Sequence, residues 1–568
     1  MKENKQEQKN LLLALLFVIV GLIAFDWIFP SSNKKPELQP PAVPVLTDTT
    51  EAEPKPAPAV ITTETIADTL PSQQLTEGTT RVNTATAPEV NFRNEMVSGS
   101  FATTGGTFNQ LNLLAYTETT QKDSPNITLF TPNAYQAQLY WISSADVALP
   151  RTSDIWQVQG EELTPFTPIT LRFHTTDVQI ERKISLDNDY MFTITDIVQN
   201  MTNRSINLAL KGKIEKQMTG SSFRSNVHEG FVALANHKLE EKQYASVDKE
   251  SFSITSEDGW VGITEKYWQS IFIPQQEPGI QMGFNKQNDL YTASFQTATV
   301  SLPAGQSLTR TTRLFAGAKK LSLIKAYQQD LNIPKFDLTI DFGWFYFLTK
   351  PFLSFLNWLY ALVGNMGVAI LIFATLLRIA LLPIATKSYQ SMAKMKKVQP
   401  KIKALQEQYK NDKMRLNQEM LALYQREKIN PAGGCLPLFI QIPVFFALYK
   451  VLSVSLQMRQ APFFGWIHDL SMPDPSSVFT LFGYVPWPIP SFLDLGVWPI
   501  LMGLTMYIQQ KLNPAPTDKS QADVMKFLPI IFTFMLGKVA SGLVIYWTWS
   551  NILSIAQQQY IMRKEGKK

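Results

Sequence analysis

One cysteine, Cys435, in 568 residues leaves no intrachain disulfide framework and no cysteine-built zinc site. The four histidines, His174, His228, His237 and His468, stand without ligand spacing, so a histidine-built metal centre is not expected either. No G-x-x-x-x-G-K-S/T run and no G-x-S-x-G run occurs, which excludes the P-loop nucleotide site and the hydrolase nucleophile elbow. The chain therefore reads as a non-enzyme with no cofactor or metal. Charge is also scarce, at 17% of residues against roughly 25% in an average soluble protein. The net charge of +5 is too small to argue for direct nucleic-acid readout.

What the chain has instead is a division of apolar residues along its length. Leu11 to Phe29 is almost wholly apolar, and Lys2, Lys5 and Lys9 precede it within the N-terminal segment 1–10. Nineteen residues rise about 28 Å, close to the hydrocarbon thickness of a bilayer. No small-residue cleavage site follows, so 11–29 is expected to be a transmembrane signal anchor rather than a cleaved signal. Residues 30–89 are rich in Pro, Thr, Ala and Glu, and read as a tether with too little apolar surface to offset ordering entropy. From 90 to 333 the pattern alternates, as in Ile169, Leu171 and Phe173, or Ile206, Leu208 and Leu210. That period of two predicts an antiparallel all-β sandwich, closed by a helix at Leu321–Leu331 that ends before Pro334.

Beyond Asp341 the composition changes again. The aromatic stretch 341–351 suits an interfacial helix. Apolar spans are expected at 355–385, 433–456, 493–510, 524–537 and 541–560, six in all with the anchor. The loop 457–492 includes a Pro-broken apolar stretch, 476–492, read as interfacial rather than spanning. The segment 386–430 carries 11 Lys+Arg against 4 Asp+Glu, whereas Ser31 to Ile340 carries 26 against 33. The positive-inside rule places the first in the cytoplasm and the second outside. The loop 511–523 and the basic tail 561–568 are then cytoplasmic, and so are both termini.

In 386–430, Met395, Val398, Ile402, Leu405 and Tyr409 follow a 3-4-3-4 spacing that Leu416, Met420 and Leu423 continue. This predicts a helical hairpin turning at Asn411-Asp412, with a new helix starting near Pro400. Lys394, Lys396, Lys397, Lys401 and Lys403 lie on its solvated faces. They serve either as the topology signal alone or as a docking surface for anionic lipid head groups, a ribosome or an acidic partner.

Arg378 stands in an otherwise apolar run, Ile370–Leu382, where a guanidinium costs roughly 2.5–3.5 kcal/mol to bury. Its long stem either snorkels to the cytoplasmic surface or lines a polar cavity inside the bundle. Other polar residues interrupt the spans: Thr375, Gln441, Gln509, Gln510, Thr548, Ser550, Asn551 and Gln557. No Asp or Glu lies in the interior of the five later spans, which argues against an ion-coupled carrier.

Several stretches carry a family resemblance. They include Asp341-Phe342-Gly343-Trp344, Arg378, Ser391-Met392-Ala393-Lys394-Met395, Gln399-Pro400-Lys401-Ile402, Asn430-Pro431-Ala432-Gly433-Gly434-Cys435, Gln441-Ile442-Pro443, Arg459-Gln460-Ala461-Pro462-Phe463 and Ser541-Gly542-Leu543-Val544. In collinear order over 340–568 these residues resemble the YidC/Oxa/Alb insertase family, in the six-span form of Gram-negative bacteria. The resemblance implies a membrane α-helical fold, a five-helix core with a polar groove, joined to a periplasmic β domain. It implies insertion and folding of nascent membrane proteins in the inner membrane, alone or with the Sec translocon. An accessory folding chaperone without insertion activity is the alternative. The groove arginine corresponds to Arg378 and the contact residues of the last span to Tyr546 and Trp547. Trp547 stands where many relatives carry a second tyrosine.

Overall fold

The computed structural model describes residues 88–568 except 144–145, 219–226, 428, 430–435, 483, 486–489, 491–493, 515–518 and 567–568. The expected anchor, the tether up to residue 87 and the Asn430–Cys435 motif lie outside the described residues.

Alternation builds the first half. Strand Val178–Leu186 turns Val178, Ile180, Ile184 and Leu186 inward, and strand Ile206–Gln217 buries Ile206, Leu208 and Leu210. Such strands pair into one sheet of 11 and one of 9, mostly antiparallel, with a short parallel pairing of Asn91 beside Glu162. The sheets pack face to face through aromatic pairs such as Phe92–Phe192 at 5.1 Å and Phe272–Phe295 at 5.5 Å. Both arrangements are edge-to-face, the geometry that ring quadrupoles favour.

One ion pair sits inside this sandwich. Arg182 and Asp196 face each other across neighbouring strands, each about 1% exposed. Arg182 Nε and Nη2 donate to the two Asp196 oxygens at 2.7 and 2.8 Å, and Nη1 donates to the Leu139 carbonyl of the other sheet at 2.8 Å. Trp141 Nε1 donates to Asp196 Oδ2 at 2.8 Å. A buried charge survives only when paired and hydrogen-bonded, and this one is matched from both sheets.

The second half is helical. After α1 (Leu321–Asp330) come α2 (Tyr346–Val363), α3 (Met366–Gln408), α4 (Lys413–Arg426), α5 (Leu436–Val454), α6 (Val497–Leu512), α7 (Lys519–Leu536) and α8 (Ser541–Gly566). The span expected at 355–385 is divided between α2 and α3. Gly364 closes α2 in the left-handed region at φ 71°, and the Asn365 side chain caps α3 by accepting the Val368 N–H at 3.0 Å. These are the terminator and starter that helix ends prefer. The interfacial helix expected at 341–351 begins only at Tyr346, and Trp344 before it is 99% exposed.

No new helix starts at Pro400. The 43-residue α3 runs through both Pro383 and Pro400. Val398 and Ile402, on either side of Pro400, bury against Leu423 and Ile429, and that seam holds the helix together across the missing hydrogen bond. The hairpin turn falls at Asp412, whose side chain caps α4 by accepting the Arg415 N–H at 3.0 Å. Among the described residues α3 is the one helix long and apolar enough by itself to cross a membrane, with Gln441–Val454 a shorter apolar stretch. The 16 residues of α6 rise only about 24 Å, and α7 begins with Lys519, Asp523 and Lys526.

The two halves are fastened together. Lys450 on α5 donates to Asp341 Oδ2 at 2.6 Å, and the same oxygen accepts the His228 N–H of the sandwich at 2.8 Å. Burial raises the Asp341 pKa, but Lys450, the His228 N–H and Lys319 more than offset this and hold it below the ordinary value. Past α5, Arg459 donates to the Thr117 carbonyl and lies over the Trp268 ring at 5.4 Å, while Gln460 Nε2 donates to the same carbonyl at 3.0 Å.

Candidate functional site

The polar residues of the helices meet where α8 packs between α3 and α6. Arg378 is half-buried on α3. Its Nη2 donates to the Tyr389 hydroxyl at 2.7 Å, and no carboxylate pairs with it among the described residues. Its Nε is buried without an acceptor among those residues. Tyr389 is 3% exposed and lies eleven residues further along α3, about 16 Å. The guanidinium is therefore drawn toward the hairpin end of the helix.

Thr375, one turn before Arg378, accepts from Trp549 Nε1 of α8 at 3.0 Å. Gln557 of α8 reaches α3 lower down, donating to Thr386 Oγ1 at 3.3 Å. Gln441 Nε2 of α5 donates to the Tyr546 hydroxyl at 3.3 Å, and Tyr546 is 2% exposed. These contacts tie α3, α5 and α8 around one polar seam.

Not every expected residue joins it. Asn551 points the other way and donates to Thr505 Oγ1 of α6 at 3.1 Å. Trp547 packs among apolar rings, 4.6 Å from Phe445 and 5.8 Å from Phe532. Gln509 is half-buried on α6, next to Gln510, which donates to the Met525 carbonyl of α7. The face of α8 that carries Thr548, Asn551, Ser554 and Gln558 thus belongs to its packing on α6. Trp549 and Tyr389 were missed from sequence. Eleven residues make close to three whole turns, so Tyr389 shares a face with Arg378, and that spacing was the available signal.

The hairpin lysines Lys394, Lys396, Lys397, Lys401 and Lys403 are all exposed. Two of them fasten the hairpin. Lys401 pairs with Glu427 at 2.7 Å, and Lys397 donates to the Glu565 carbonyl near the end of α8 at 2.7 Å.

A long apolar helix, a half-buried arginine with no acid beside it among the described residues, and a large all-β domain docked on the bundle are the features expected of a membrane protein with an appended sandwich. A family model described as 60Kd inner membrane protein matches residues 358–568, and one described as YidC periplasmic domain matches 89–355. A membrane protein insertase YidC of Methylobacterium radiotolerans is 43% identical over 564 residues, covering 95% of this chain and 90% of that protein. One of Brucella suis is 43% identical over 501 residues, covering 85% and 82%. The chain belongs to the YidC membrane protein insertase family, an inner-membrane family with a periplasmic domain. A crystal structure titled as an active YidC insertase with its first transmembrane domain resolved covers 84% of this chain and 95% of its own, at 17% identity and a TM-score of 0.36. At that score the likeness adds nothing to the sequence matches.

Proposed function

We propose that this chain inserts and folds integral membrane proteins in the inner membrane, using the seam around Arg378 to receive the hydrophilic part of a client. The observation that carries this reading is a half-buried guanidinium held by a tyrosine hydroxyl and by no carboxylate among the described residues. A polar tail crossing a low-dielectric layer loses its hydration, and a fixed cation offers acidic groups a temporary partner. Thr375, Gln441 and Tyr546 supply further hydrogen-bonding groups beside it, while Trp547 with Phe445 and Phe532 gives the client's apolar span a surface to slide along. Release of about 20 apolar residues into lipid drives the step, so no nucleotide is required.

In this reading the chain crosses the membrane six times, keeps both termini and the hairpin in the cytoplasm, and holds the sandwich in the periplasm. The charge balance of the two segments supports that orientation. Clients are nascent membrane proteins, delivered alone or beside the Sec translocon. Lys394, Lys396 and Lys403 are the hairpin cations placed to meet anionic lipid or a ribosome. The test is the full chain reconstituted in liposomes with a single-span substrate bearing a short acidic tail. Insertion is expected with the parent and lost with Arg378→Ala, and equal insertion by both sinks the proposal.

A further inference from the structure

We infer that Tyr389 is the resting ligand of Arg378, and that by having to be displaced it sets how strongly the site prefers acidic over neutral client segments. The inference rests on Arg378 receiving the client. Arg378 has five N–H donors. The Tyr389 hydroxyl takes one at 2.7 Å, its ring lies 5.9 Å from the guanidinium carbon, and Nε is left buried without an acceptor among the described residues. The site at rest is thus occupied but far from saturated.

Two features make the tyrosine a placeholder rather than a permanent partner. First, its ring is fixed independently of the arginine, buried in a small cluster with Ala385 and Met392 of α3 and Ile561 of α8. Losing the hydroxyl contact therefore does not unseat the ring. Second, a hydroxyl accepts one hydrogen bond without neutralising the cation, whereas a carboxylate accepts two in parallel and each bond is roughly twice as strong as a neutral one. An acidic client segment outcompetes the tyrosine, and an asparagine or serine segment does not. The hydroxyl works as a threshold, holding one guanidinium donor in an empty seam and yielding only to charge.

Tyr389→Phe keeps the ring and removes the threshold. The initial insertion rate of an acidic-tailed single-span substrate is expected to rise about tenfold or more, the worth of one hydrogen bond to a charged group. The same substrate with its acidic residues changed to Asn and Gln is expected to insert at the parent rate. In an Arg378→Ala background the Tyr389→Phe effect is expected to vanish. Should Tyr389→Phe reduce the amount of folded protein, Tyr389→Leu also lacks the hydroxyl and takes its place. Equal changes for both substrates, a fall for the acidic one, or an effect that persists without Arg378 would each overturn the inference. Arg378→Ala matching the parent on both substrates would instead overturn the reading of the groove.

Discussion

Arg182 and Arg378 are both withdrawn from solvent, and they are treated in opposite ways. In the sandwich, Arg182 meets two carboxylate oxygens, a carbonyl from the facing sheet and the Trp156 ring at 5.0 Å. In the bundle, Arg378 meets one uncharged hydroxyl among the described residues. A cation matched on every side is a structural rivet, because removing any partner strands a charge. A cation left short of acceptors costs stability where it stands and keeps its field available. The difference tells fastening from function without reference to where either residue lies in the chain.

The comparison can be broken first at the rivet. Asp196→Ala strands Arg182 inside the sandwich and is expected to destabilise that domain by about 3–5 kcal/mol, seen as a lowered thermal midpoint and early proteolysis of the region 90–333. An unchanged midpoint would mean that the pair is not what joins the sheets. Arg378→Ala should behave in the reverse sense. Insertion of an acidic-tailed substrate should fall about tenfold or more, from loss of a charged hydrogen bond, while the thermal midpoint holds or rises because a buried cation has been removed. A midpoint that fell with activity would make Arg378 a second rivet.

Lys319 gives an intermediate case. It is 5% exposed and donates to Thr264 Oγ1 at 3.0 Å. Burial pushes its pKa down to about 8, with the charges of Asp341, Glu229, Glu265 and Glu241 opposing that shift. An ordinary lysine holds its proton to about pH 10.4, so between these values the unfolded chain binds more protons than the folded one. Stability should therefore rise from about pH 8 to about pH 10, by at most about 1.4 kcal/mol per unit, and stay level in this term below pH 8. Lys319→Met should flatten that rise, and a rise that survives belongs to another group. The smallest effect is expected at the exposed end of the series. Lys396→Gln should weaken flotation with anionic vesicles by less than about 1 kcal/mol and leave neutral vesicles unaffected.

The sequence made some of this legible and hid the rest for identifiable reasons. The period of two through Ile206, Leu208 and Leu210 and the 3-4 seam of the hairpin are set by burial on one face, and each appears as a local pattern. The rivet was equally local but went unread, since Arg182 and Asp196 each stand on the apolar face of their strand, where a charge has to find an opposite one. The Gly364-Asn365 break was also written in the chain, though the apolar run across it suggested a single span. Pro400 misled in the other direction, because tertiary packing outweighed a local breaker. Within the site, Arg378, Thr375 and Gln441 stand out as polar residues in apolar surroundings, whereas Tyr546 comes only from the family resemblance. Which face of α8 Asn551 and Trp547 occupy depends on the packing of α6 and α7, and no single helix records that.

The placement of α5 has a mechanical consequence. Near one end it holds Tyr546 through Gln441, and nine residues further on, about 14 Å along the axis, Lys450 is clasped by Asp341 beneath the sandwich. A force that wedges α5 away from α8 is carried along the helix to that ion pair. The helix is therefore a tie-rod between the bundle and the sandwich: widening at its Gln441 end is resisted at its Lys450 end.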